Sequence, residues 1–168
     1  MRSACLSLFL SACTLALLSA DGLPQPSPQV SCAASPRQAL LPEVIAPAAG
    51  ESPIWFVDGG GGQWQGPNVP VKSVWILERK IAGALRVTGR QRESTQSLTF
   101  REAMNGPVIG SLVIDTPAEA SMTPGGASAE VMRKFAFVAS YVFYPSPGCW
   151  ELDAQLGEQR RKVVVAVS

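Results

Sequence analysis

Two carboxylates set two residues apart, Glu151 and Asp153, are the nearest thing in this sequence to a hydrolytic pair. A strand sends alternate residues to one face, so the two would stand side by side as like charges. A glycosidase needs a different arrangement, with a raised-pKa acid facing an ionised partner across a cleft. A solvated strand face is the simpler reading, and Asp58, Glu102, Asp115 and Glu119 are scattered singly. No histidine occurs anywhere in the 168 residues. That removes imidazole as the base behind a Ser or Cys nucleophile and as a zinc ligand. No Ser-x-x-Lys offers a lysine in its place. Without an activating histidine, Cys149 reads as structural. The sequence therefore predicts no enzyme, no cofactor and no metal site.

The glycine run Asp58-Gly59-Gly60-Gly61-Gly62-Gln63-Trp64 resembles a phosphate loop only in its glycines. The lysine and hydroxyl that would grip phosphate and magnesium are missing. Asp58 is the one carboxylate nearby, and a hard cation wants several. The run predicts a flexible loop between strands. Trp64, flanked by Gln63 and Gln65, has no apolar neighbours in sequence. Exposed, it is the best ligand-contact residue here, with Gln63 and Gln65 beside it. Folded back, it is a lid on the core. Trp75 and Trp150 sit in apolar or alternating runs and belong to the core.

Arg2, an apolar run and the small residues before Asp21 have the layout of an export signal over residues 1–20. The run is interrupted by Ser and Thr and barely reaches spanning length, which argues against a membrane anchor. Cleavage after Ala20 is one route. The other is lipidation of Cys13, since Leu10-Ser11-Ala12-Cys13 resembles a bacterial lipobox; both stay open. Cleavage after Ala20 takes one of 14 basic residues and none of the 13 acidic ones, leaving no net charge. A neutral chain has no long-range pull toward nucleic acid, and contact with a membrane is expected only through a lipid anchor. Arg160-Arg161-Lys162 reads as a solvated strand end. The mature chain keeps Cys32 and Cys149, which an oxidising compartment invites to pair.

Residues 21–52 carry recurring prolines among Ala, Ser and Gln and predict an extended leader, with Val44-Ile45 able to rest on the domain as an edge strand. From residue 53 onward come about eight short runs of strand character separated by turn residues, with no sustained helical spacing. Residues 108–115 are almost continuously apolar and predict a central strand. Residues 116–129 are loop, with one helical turn near Ser128, and are the second place to look for ligand contact. The runs lie too close together for crossover helices. An antiparallel all-β sandwich over residues 53–168 follows, with a small barrel as the alternative.

Val74-Trp75-Ile76-Leu77, Leu85-Arg86-Val87-Thr88-Gly89-Arg90 and the late Pro147-Gly148-Cys149-Trp150-Glu151 together resemble a group of uncharacterised bacterial exported proteins and lipoproteins. Those carry an immunoglobulin-like domain ending in a Pro-Gly-Cys-Trp-Glu type strand. The resemblance covers residue 53 to the C-terminus, implies an immunoglobulin-like sandwich in the cell envelope, and transfers no catalytic or ligand-binding residue. The expected function is a non-catalytic envelope module, binding or structural, with an envelope protein or glycan as partner. A protease inhibitor on the same scaffold is the second expectation, and a carboxylate-based hydrolase the third.

Overall fold

A computed structural model describes residues 32–41 and 44–168. The expected export signal and Cys13 lie outside the described residues. The strands are β1 (Arg37–Gln38), β2 (Ala48–Glu51), β3 (Ile54–Asp58), β4 (Val71–Glu78), β5 (Leu85–Gln91), β6 (Thr99–Arg101), β7 (Leu112–Ile114), β8 (Phe135–Phe143), β9 (Gly148–Leu156) and β10 (Gln159–Val167), and one short helix, α1 (Ala129–Lys134), precedes β8. They form two antiparallel sheets, ordered β1-β2-β3-β4-β8-β6 and β10-β9-β5-β7. The fold is an all-β sandwich.

Period-two burial explains the layering. In β5, Leu85, Val87 and Gly89 face inward while Arg86, Thr88 and Arg90 face water. The sheets close over a core that includes Phe56, Trp75, Phe100, Trp150, Leu152 and Val163. Trp75 and Trp150 are fully buried, and Phe56 tilts against Trp75 with ring centroids 4.6 Å apart. Ser128 caps α1, its hydroxyl accepting from the Val131 N–H.

β4 is buried on both faces because the six-stranded sheet has a second apolar layer outside it. Trp55, Val57, Val74, Ile76 and Phe137 form that outer cluster. Leu40, Leu41, Val44, Ile45, Met122 and Val131 pack onto it. Part of the expected leader is therefore structural: the boundary read at residue 53 falls inside the sheet, and the compact unit runs from Ser31 to Ser168. Between Pro36 and the prolines that follow, two stretches are still free to pair, Arg37–Gln38 and Ala48–Glu51. β1 is the edge strand, where proline neighbours are tolerated, and β2 lies between it and β3.

The run 108–115 is not a central strand. Ile109 bridges Phe100 in the six-stranded sheet, whereas Leu112–Ile114 pair with β5 as the outermost strand of the other. Gly110 and Ser111 carry the chain from one layer to the next. The run is apolar because it serves two sheets in turn.

Candidate functional site

The glycine loop after β3 is tied down rather than loose. The buried Asp58 carboxylate accepts from the Gly62 N–H at 2.7 Å and the Gly60 N–H at 3.2 Å. Arg37 from the N-terminal segment stands 3.8 Å from the same carboxylate. Gly62 adopts φ +87°, and a Cβ there would meet the Ala166 carbonyl oxygen at 2.7 Å. Only glycine allows that approach. Ser168 completes the clamp: its N–H donates to Gly62 O, and the Trp64 N–H donates to Ser168 O.

Trp64 is neither a free side chain nor a core lid. Its indole N–H donates to Tyr144 O at 3.0 Å, and the residue keeps 38 % of its surface in water. Gln63 and Gln65 beside it are exposed. Three loops meet at this rim. Residues 145–148 touch the end of β5 and the turn 92–97, through Gln91 Nε2 to Pro147 O at 2.9 Å and Ser146 Oγ to Gln96 Oε1 at 2.8 Å. The loop 116–129 lies at the other end of the sandwich. Arg79 ties it there by donating to Ala118 O at 3.2 Å, and Met122 N–H donates to Phe137 O. β8 has nine residues, which sets the two loops roughly 27 Å apart along the strand.

Cys32 and Cys149 are joined by a disulfide with Cα atoms 5.3 Å apart. It fastens the N-terminal segment at the Trp64 end. Ser35 then runs along β10, its N–H donating to Val164 O and its hydroxyl accepting from Val164 N–H. Below the rim, burial pushes the Tyr144 phenol well above its ordinary pKa, and the Asp58 charge adds to the shift. At the opposite end, a cleft of about 290 Å³ has Leu77, Ala136 and Leu156 as its floor and Glu78, Asp115 and Glu119 on its rim. The Lys80 and Ser52 hydrogen bonds to Glu78 hold its carboxyl below the usual range.

The outer face of the four-stranded sheet is a lattice of charge. Glu151 takes a 2.9 Å bond from Lys162 Nζ, and the guanidinium groups of Arg90 and Arg92 each stand 3.6 Å away. Asp153 is gripped bidentately by Arg160, at 2.6 and 2.5 Å. The hydrogen bond from Lys162 holds the Glu151 carboxyl below its ordinary pKa against the opposing effect of burial, and Arg90 and Arg92 reinforce it. Arg160 does the same for Asp153. Both acids are thus held ionised, the reverse of what a general acid requires. Arg161 points the other way and donates to Ser52 O.

The expected solvated face is therefore an ordered one, and Arg160 and Lys162 are part of it rather than a loose strand end. Sequence reading missed Arg90 and Arg92 as partners of Glu151. The signal was the alternation Arg86, Thr88, Arg90 in β5, which register places beside Gln155, Asp153 and Glu151. Cross-strand register could not be read from one strand alone.

No protein-family profile matches the chain, and no curated protein matches it. Among solved structures, one described as a putative lipoprotein from Bacillus anthracis is similar, with a TM-score of 0.53 at 13 % identity. The match covers 83 % of this chain and 88 % of that one. At that identity the likeness speaks for the fold.

Proposed function

We propose that this chain is a non-catalytic module of the bacterial cell envelope, exported and lipid-anchored or released, that binds an envelope protein or glycan through the rim at Trp64. The observation that carries the reading is the pinned, part-exposed indole between two exposed glutamines. Its loop is ordered before any partner arrives, so little freedom is lost on contact. An immunoglobulin-like assignment is supported by strand order. β3-β4-β8-β6 corresponds to the A-B-E-D sheet and β5-β9-β10 to C-F-G. One departure stands out: β7, which extends the second sheet beside β5, follows β6 in the chain instead of preceding it. The envelope location is supported by the signal-like residues 1–20, by the lipobox-like approach to Cys13 and by the likeness to a protein described as a lipoprotein.

Binding of the purified chain to isolated cell-wall and membrane fractions tests this reading. Trp64→Ala is expected to weaken capture by about 2 kcal/mol, the scale of an interface anchor, with the melting temperature lowered by no more than the loss of one part-exposed hydrogen bond implies. The double change Gln63→Ala and Gln65→Ala probes the same rim without touching the indole's bond to Tyr144. Full binding by both variants would refute the rim as the contact surface. A large loss of stability on removing the indole would make Trp64 structural.

Three loops gathered at one end favour a second reading, protease inhibition by loop presentation. Titration against papain-like and metalloprotease activities separates it from the first. A carboxylate hydrolase finds no support in Glu151 and Asp153, whose pKa values are both lowered; glycan turnover by the parent protein, lost when both are neutralised, would revive it.

A further inference from the structure

The two outer faces of the sandwich are finished differently. The six-stranded sheet is roofed by Leu40, Leu41, Val44 and Ile45, by Met122 and by apolar side chains of α1. The four-stranded sheet carries charge instead. Among the described residues, Arg90, Arg92, Arg160 and Lys162 surround Glu151 and Asp153, and Arg86 stands further along β5 beside Gln155, five cations to two anions. Glu93 and Glu158, the nearest other acids in sequence, sit on turns at the strand ends.

The charges are unevenly presented. The side chains of Glu151 and Asp153 are 11 % and 19 % exposed, while those of Arg90, Arg92, Arg160 and Lys162 range from 41 % to 71 %. The anions lie low and hold the cations upright. At 3.6 Å from Glu151, Arg90 and Arg92 stand beyond hydrogen-bonding range. Their guanidinium donors stay available for an outside acceptor. Two depressions of about 450 and 310 Å³ share Thr88, Asp153 and Arg160, and so run together as one trough across the strands. Along β5, Arg86 and Arg90 lie about 14 Å apart with Thr88 midway.

We propose that this trough binds a linear anionic polysaccharide. Arginine forks pair bidentately with carboxylate, sulfate or phosphate groups, and Thr88 and Gln155 offer hydroxyl and amide groups to sugar hydroxyls. The trough has no aromatic lining on which nucleobases could stack. Among the described residues, none of the exposed large apolar side chains, Trp64, Val69, Met104 and Val108, belongs to it, which argues against insertion into a bilayer. The trough includes none of Gln63, Trp64 and Gln65, and it reaches the rim end of the sheet only at Ser97, in the turn that also carries Arg92.

Heparin serves as the probe, with the full chain in solution and affinity followed against salt. Binding should weaken as salt rises, with a log–log slope of about −2 to −3 for the arginines left free. Arg86→Gln, Arg90→Gln and Arg92→Gln together should weaken it about tenfold or more, since each removes one charged contact. Thr88→Lys should strengthen it, and Trp64→Ala should leave it unchanged. Melting temperatures are read alongside, and the Thr88→Lys gain answers the case in which the triple variant does not fold. No binding at low salt, no gain from Thr88→Lys, or equal binding by a folded triple variant would overturn the proposal. So would tighter binding, through the same arginines, of anionic phospholipid vesicles or of a single-stranded oligonucleotide. Loss of heparin binding in Trp64→Ala would place the polyanion at the rim and equally refute this site.

Discussion

Asp58 shows how one side chain can organise a loop that looks disorganised in sequence. Four consecutive glycines read as slack, yet the carboxylate gathers Gly60 and Gly62 and takes Arg37 as its counter-charge. Asp58→Ala leaves a buried N–H at Gly62 without its acceptor and Arg37 without its partner. The expected cost is about 2–4 kcal/mol, from one charge-assisted bond, one weaker one and an unmet donor; urea unfolding measures it. The same change should loosen the rim and lower capture by Trp64 at unchanged indole chemistry. The partial exposure of Trp64 was legible from its polar neighbours. Its tether to Tyr144 was not, because the partner is a backbone carbonyl 80 positions away.

At the scale of elements, alternation was readable and partnership was not. β5 and β9 declare their inward and outward residues one by one, and the sandwich follows from that pattern. The N-terminal strap was under-read because prolines mask short strands: Arg37–Gln38 and Ala48–Glu51 are two and four residues long. The apolar stretch 108–115 misled for the opposite reason, since hydrophobicity there is divided between two layers. The strap's attachment to β9 is covalent, through cysteines separated by 117 positions. In the chain-entropy account, closing a loop of that size stabilises by ~5 kcal/mol. Cys149→Ser, compared with the oxidised parent in urea, is expected to lose a large part of that stability. Matching midpoints for the two proteins would mean the crosslink contributes nothing.

The sandwich as a whole carries one roofed face and one charged face, and its response to acid follows from the second. Glu151 and Asp153 have pKa values lowered in the folded state by Lys162 and Arg160. Groups depressed in this way stabilise above their unfolded pKa, about 4 for carboxylates, and that contribution disappears as pH falls through the folded values. Stability should therefore be flat near neutrality and decline below about pH 4. The cationic partners are exposed, so salt should shrink the decline. Glu151→Gln with Asp153→Asn should flatten the acid limb in thermal melts across pH. An unchanged limb would show that other carboxylates, Glu78 among them, dominate it.

Ser168 is woven into the rim, its amide and carbonyl bonded to Gly62 and Trp64. Anything appended after it therefore emerges beside the indole. A purification tag or fluorescent fusion placed there would crowd the very surface under study and imitate the loss of a ligand. The exposed hairpin tip around Met104, on the sheet's far edge, is the safer place to graft a handle.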